Sequence, residues 1–353
     1  MDLESGSSIE SCDYHTAGEP FRIVDAGPME GSTVIERRSW AEENLEDLRK
    51  FLVHEPRGHA DMYGGFIVPP DDSGGDLGVV FFHSDGFSTA CGHGTIALVT
   101  WAIDSGFIKS KADHLEVVID VPSGRLFTKA KILNGKVESV TFINVPSFVS
   151  AKEVKIDTAF GPIILDVSFG GAFYASIETN QLGLNTNSKD LNKLIEISKE
   201  IKSKTQNLKL AEHPSDRRLS GIYGSIFYET LEEKPLRQRN ITIFADGQVD
   251  RSPCGSGTSA RLALLHEKNL IKTNEPFFNH GIAGGMFKGQ VIETKETGII
   301  TSIEGSAYCC SKNSFYLDSR DPIGMGFKLK CKKFVTTPPM KFFHSVLKTL
   351  FLL

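Results

Sequence analysis

The amino-acid sequence predicts a mixed α/β protein of the α+β type, built from two pseudo-symmetric domains that share a rigid cleft. Three observations carry this reading. The chain has 353 residues, and a single hydrophobic core rarely grows past about 250–300 residues. A motif recurs about half a chain length on: Cys91-Gly92-His93-Gly94-Thr95-Ile96-Ala97 returns as Cys254-Gly255-Ser256-Gly257-Thr258-Ser259-Ala260, with Cys, both Gly, Thr and Ala in register. Strand-like and helix-like patterns alternate throughout, and no Pro/Ser-rich linker separates the two copies.

The elements follow in chain order. Ser39-Trp40-Ala41-Glu42 reads as a capping box, with Leu45, Leu48 and Leu52 as the helical stripe behind it. Leu77 to Phe82 is β-rich and ends in a turn at Asp85-Gly86. The first motif comes next, then a dense apolar helix carrying Ile96, Val99, Trp101, Ala102 and Ile103. Leu115 to Val121 and Val140 to Val145 read as strands, and the charged stretch Lys152 to Asp157 as a domain boundary. Leu191, Leu194, Ile195 and Ile201 mark an amphipathic helix capped near Asn187 or Ser188. Ile241 to Phe244, a turn at Asp246-Gly247, the second motif and Leu262, Leu264 and Leu265 repeat the first unit. A weaker echo joins Asp13…Gly18 to Asp166…Gly171.

Composition narrows the function. With 39 Lys+Arg against 44 Asp+Glu, the net charge is −5, whereas a nucleic-acid binder normally carries a basic excess. Six cysteines are too few for a disulfide scaffold. The polar start is unlike a signal or transit peptide, and no apolar run approaches the roughly 20 residues of a membrane span. The expectation is a cytoplasmic protein with reduced thiols and neither membrane nor nucleic-acid partners.

Each duplicated cysteine falls at a predicted helix N-terminus. The partial positive charge there favours a thiolate, and the free N–H groups favour a carboxylate ligand. Two such helices facing one another would place a thiol on each side of one small anion. One thiolate can take a proton from a carbon and the other thiol can return one to the opposite face, inverting that carbon without a cofactor. His93 is placed to hold or relay a proton, and Asp250 to accept a hydrogen bond from the substrate amine. A zinc site lacks Cys-x-x-Cys spacing, and the Rossmann and P-loop patterns are incomplete. Neither metal nor cofactor is expected. Cys12, Cys309, Cys310 and Cys331 have no repeat partner and read as structural or incidental.

Several stretches resemble the proline racemase family, which includes proline racemases, 4-hydroxyproline epimerases and trans-3-hydroxyproline dehydratases. They are Asp13-Tyr14-His15-Thr16-Ala17-Gly18-Glu19-Pro20, Glu55-Pro56-Arg57-Gly58-His59-Ala60-Asp61-Met62-Tyr63-Gly64, Gly170-Gly171-Ala172-Phe173-Tyr174 and Val249-Asp250-Arg251-Ser252-Pro253-Cys254, together with both Cys-Gly motifs. The likeness covers about residues 12–330. It implies a fold similar to diaminopimelate epimerase, each domain a curved sheet wrapped around a central helix, with the active site in the interdomain cleft. The domains would be 12–148, completed by 318–333, and 149–317, with 334–353 as an extra C-terminal tail. It further implies Cys91 and Cys254 as the catalytic pair and Gly92, His93, Gly94, Asp250, Gly255 and Ser256 as substrate contacts. Tyr63 and Phe244 would flank the proline ring, His15 and His59 would be structural, and the assembly would be a homodimer. The leading expectation is a racemase or epimerase of proline or hydroxyproline. The alternatives are trans-3-hydroxy-L-proline dehydratase and, more remotely, a non-catalytic imino-acid-binding protein. Paired thiols favour inversion, because a dehydratase needs one base and can dispense with an acid on the far face.

Overall fold

A computed structural model describes residues 8–329; Cys331 and the tail 334–353 lie outside the described residues. Five α-helices occur among them: α1 (Val34–Asn44), α2 (Glu46–Val53), α3 (Gly92–Asp104), α4 (Leu191–Thr205) and α5 (Gly255–Glu267). Eighteen strands surround them, linked by hydrogen bonds into one continuous sheet.

The duplication extends well beyond the cysteine motif. In the first half, Tyr63–Val68 pairs parallel with Glu19–Val24 and antiparallel with Leu77–His83, which continues to the short Gly86–Phe87. In the second half, Ile222–Glu233 pairs parallel with Phe173–Glu178 and antiparallel with Leu236–Phe244, which continues to Gln248–Asp250. A parallel strand then follows each helix, His114–Val121 after α3 and Phe277–His280 after α5.

α3 and α5 are the two centres. Residues 92–100 of α3 and 255–265 of α5 are all buried, polar residues such as Thr95, Thr258, Ser259 and Arg261 included. α3 packs on Ser8–Thr16, Glu19–Val24, Lys136–Ile143 and Ala307–Tyr316; α5 packs on Phe148–Thr158, Gly161–Phe169, Met286–Lys295 and Gly298–Gly305. Each sheet half therefore wraps its own helix. The last strand, Ala307–Tyr316, pairs with Ser8–Thr16 along its length. Farther on, Phe327 forms a bridge with Glu55, also in the first half.

Two local expectations are corrected. The capping box sits at Thr33, whose hydroxyl accepts from Glu36 N while the Glu36 carboxylate accepts from Thr33 N. Ser39 lies inside α1 and donates to Ile35 O. The Thr-x-x-Glu pattern precedes the Ser-x-x-Glu pattern, and starting there buries Val34 in α1. The Leu45, Leu48 and Leu52 stripe is buried as expected, although the helix breaks at Leu45 and restarts as α2. The charged Lys152–Asp157 stretch runs inside the strand Phe148–Thr158, with Ile156 buried and the charged residues exposed. α4 begins after Asp190, and Asn187 contributes just outside the helix by accepting from the N–H groups of Lys189 and Asp190.

Candidate active site

The two central helices meet end to end. Cys91 and Cys254 are the N-cap residues of α3 and α5, and the glycines after them touch across the junction. A Cβ on Gly92 would stand 2.5 Å from Gly255 Cα, and one on Gly255 2.6 Å from Gly92 Cα. No side chain fits in that gap, so the motif's first glycine is what lets two helix N-termini share one site. Cys91 Sγ accepts from Gly94 N at 3.2 Å and lies 3.4 Å from His93 Nδ1. Cys254 Sγ is 3.7 Å from Tyr174 Oη and 3.9 Å from Ser256 Oγ, which themselves bond at 2.7 Å.

A narrow, nearly closed cavity joins the thiols. Tyr63, Tyr223 and Phe244 form its aromatic wall, with Tyr223 stacked on Phe244 at 5.5 Å between ring centroids. Tyr63 Oη bonds Ser88 Oγ and lies 3.3 Å from Tyr223 Oη. Asp250, Thr242, His93, Tyr174, Ser256 and Ala90 complete the lining. Of the ten residues singled out in the sequence, nine line this cavity. Gly94 does not; its N–H holds Cys91 Sγ, and a Cβ there would stand 2.4 Å from the Phe21 ring. Sequence reasoning assigned no role to Tyr174, Tyr223 or Thr242. Each sits on a strand, where aromatic and β-branched residues are ordinary, so only the register reveals that they face the site. His15 Nδ1 accepts from Gly18 N in a turn, and His59 is exposed and lies away from the cavity.

Burial governs the electrostatics. The expected lowering of the thiol pKa values is not met. Burial pushes Cys91 well above its ordinary value, with nearby Asp250 adding to the rise and the Gly94 N–H opposing it. Burial and Asp250 push Cys254 up to about 12, against the Tyr174 hydroxyl and the Gly257 N–H. The low-dielectric surroundings penalise a thiolate more than the hydrogen bonds from Gly94 and Gly257 favour it. Burial, then Arg251, lowers His93 to about 3. Its imidazole is therefore neutral near pH 7 and serves as a hydrogen-bond partner rather than a store of protons. Burial raises Asp250 to about 6, although its carboxylate accepts from Ser252 N at 2.8 Å.

The halves are pinned together around the cavity. Glu19, fully buried, accepts from Arg251 N at 2.7 Å and pairs with Arg251 Nε at 2.9 Å. Asp85 accepts from Asp246 N at 3.1 Å and from Gln248 Nε2 at 2.6 Å, so the two predicted turns touch. Thr89 Oγ1 donates to Gly171 O, and Asn144 Nδ2 to Gly170 O. Among the described residues, no helix is long and apolar enough to cross a membrane.

Comparison with known proteins agrees with this architecture. A trans-3-hydroxy-L-proline dehydratase of Bacillus cereus is 41% identical, over 90% of this chain and 97% of its own. A 3-hydroxyproline 2-epimerase of Burkholderia multivorans is 36% identical, over 93% of this chain and 100% of its own. The crystal structure of a hydroxyproline epimerase from Agrobacterium vitis, with bound trans-4-hydroxy-L-proline, superposes with a TM-score of 0.87 at 28% identity, covering 93% of this chain and 96% of that one. Residues 11–328 match the family described as proline racemase, and with two helix-capping cysteines brought to one cavity, the chain belongs to the proline racemase family of enzymes.

Proposed function

We propose that this enzyme is a cofactor-independent racemase or epimerase of proline or a hydroxyproline, using Cys91 and Cys254 as a thiolate/thiol pair. The observation that carries the reading is the presence of both thiols in one cavity, each on the N-cap residue of its own helix. The substrate carboxylate takes the N–H groups at the start of the two helices, from Gly92, His93, Gly255 and Ser256. Asp250 faces the ring amine, and Tyr63 and Phe244 lie against the ring. One sulfur removes the α-proton and the other delivers a proton to the opposite face. The raised pKa values suit this chemistry in two ways. The acid must hold its proton near neutral pH, and a thiolate of high pKa is a strong base once formed. The incoming ammonium brings positive charge into the buried site, which favours forming that thiolate.

A second reading, trans-3-hydroxy-L-proline dehydratase, is favoured by the name of the Bacillus cereus relative. There the same α-proton goes to a thiolate and the C3–O bond breaks. The hydroxide leaves as water after gaining a proton, and pyrroline-2-carboxylate forms. Separate incubations in D₂O with L-proline, trans-4-hydroxy-L-proline and trans-3-hydroxy-L-proline distinguish the two. Deuterium at an inverted Cα is the expected result. Pyrroline-2-carboxylate without inversion would replace the first reading by the second, and no turnover of any substrate would sink both.

The proposal extends to two epimerase-like units, about residues 8–148 with 307–329 and about 149–306, supported by the repeated strand pairing and the return of the last strand. It extends also to a cytoplasmic homodimer without nucleic-acid or membrane partners. The net charge of −5 supports the lack of a nucleic-acid partner, and sedimentation equilibrium tests the dimer.

A further inference from the structure

We infer that Thr242 is a substrate-contact residue, whose hydroxyl accepts the second N–H of the substrate's ring ammonium beside Asp250. Thr242 is fully buried and lines the cavity between the thiols. Among the described residues, its Oγ1 is the one buried side-chain polar atom of that lining without a hydrogen-bond partner. The other hydroxyls there are paired with one another: Tyr174 with Ser256, and Tyr223 with Tyr63. A buried hydroxyl left unpaired costs stability, and valine would suit the same strand position without that cost. A threonine here makes physical sense if something else supplies the partner.

Register indicates what that partner is. Thr242 stands directly opposite Asp250 in the antiparallel pair of Leu236–Phe244 with Gln248–Asp250. Directly opposed residues project to the same face of a sheet. Phe244, two residues along from Thr242, lines the same cavity, as the period of two requires. Asp250 already spends Oδ1 on Ser252 N. A secondary ammonium in a five-membered ring carries two N–H donors, and a single carboxylate oxygen satisfies one of them. Thr242 Oγ1, on the adjacent strand and facing the same way, accepts the other. Two fixed acceptors set the ring nitrogen in position and thereby orient the attached Cα toward the thiols. A primary amine or an N-alkylated ring presents a different number of donors, so the pair selects for an unsubstituted cyclic imino acid.

This inference rests on the reading that an imino acid sits between Cys91 and Cys254. The test compares wild type, Thr242→Val and Thr242→Ser in initial rates on L-proline, trans-4-hydroxy-L-proline and trans-3-hydroxy-L-proline. Inhibition by cyclopentanecarboxylate, which keeps the ring and carboxylate but lacks the amine, is measured alongside. For Thr242→Val we expect KM to rise by about 10- to 100-fold, the scale of a lost hydrogen bond to a charged group. The factor should be the same for every imino acid turned over, with little change in kcat and no change in inhibition by cyclopentanecarboxylate. Thr242→Ser should restore most of the loss, and the Tm of Thr242→Val without substrate should equal or exceed that of wild type. An unchanged KM overturns the inference. So does a loss confined to hydroxylated substrates, which would assign Thr242 to the ring hydroxyl. An equal loss for cyclopentanecarboxylate would mark a general distortion of the site and overturn it too. If wild type neither turns over nor binds any of these imino acids, the underlying function fails first, before any comparison of variants.

Discussion

Cys91 and Cys254 occupy one position in two copies of a motif, yet their backbones differ. Cys91 has φ −152°, ordinary extended backbone, whereas Cys254 has φ 62°, a left-handed conformation that side chains with a Cβ seldom adopt. Their surroundings differ as well: a neutral histidine beside Cys91, and the Tyr174 and Ser256 hydroxyls beside Cys254. Replacing Cys254 by serine leaves a hydroxyl of far higher pKa on that face. Inversion should fall by at least about 10²-fold, the usual scale of a lost general acid or base, whereas any dehydration of the 3-hydroxy substrate should survive. Loss of both activities in Cys254→Ser would contradict the one-base argument. Asp250 gives a prediction in pH. Burial raises its pKa to about 6, and an ammonium is best held by the ionised form, so KM should climb as the pH falls below about 6. Stability runs the other way. The folded state favours the protonated carboxyl, a contribution present below about pH 4 and lost as the pH rises through about 6. Asp250→Asn should therefore be more stable than wild type at pH 8, by an amount on the order of 2–3 kcal/mol, with no advantage at pH 4. Thermal melts across that range check both ends.

At the level of elements, the close contact of α3 and α5 makes the site. Gly92→Ala or Gly255→Ala would place a methyl group within 2.6 Å of the opposing glycine Cα, which forces the helix ends apart. Overpacking of this kind costs about 1–3 kcal/mol, a modest effect on folding. The same displacement moves both thiols and the N–H groups meant for the carboxylate, so activity should fall by about 10²-fold or more. Denaturant midpoints and kcat measured on the same preparations separate the two effects; a variant with full activity would show that the helix ends tolerate separation. The sequence made these helices legible through apolar density and the Cys-Gly-x-Gly-Thr start. It did not reveal how α1 begins, because Thr33…Glu36 and Ser39…Glu42 carry the same local signal, and the burial of Val34 agrees with the former. The charged run at Lys152 hides a strand for a related reason: its charges sit on the open face, over the buried Ile156.

Across the whole molecule, the halves are fastened by a buried ion pair next to the site. Glu19 comes from the first half and Arg251 from the second, with Arg251 also reaching Asp61 at 3.4 Å. Burial and the neighbouring Asp250 raise Glu19 well above the usual carboxylate range, against the pull of Arg251. Removing the cation leaves the buried Glu19 carboxyl without its partner, still under the influence of the Asp250 charge. Arg251→Met should therefore cost about 3 kcal/mol, as when one partner of a buried pair is deleted, while Glu19→Gln should cost less because it removes a charge rather than stranding one. Equilibrium unfolding of both variants checks the order, and equal or reversed losses would show that Glu19 does not depend on Arg251. The sequence by itself determined the duplication, the two central helices and the cysteine pair, because each is written in local pattern: a repeated motif, apolar density and glycine spacing. Only the tertiary structure decided that the two glycines touch, that Tyr174, Tyr223 and Thr242 face the thiols, and that burial pushes both thiols above their ordinary pKa. Those outcomes depend on strand register and on desolvation, which arise when distant segments pack and exclude water, and neither is encoded in the neighbourhood of any one residue.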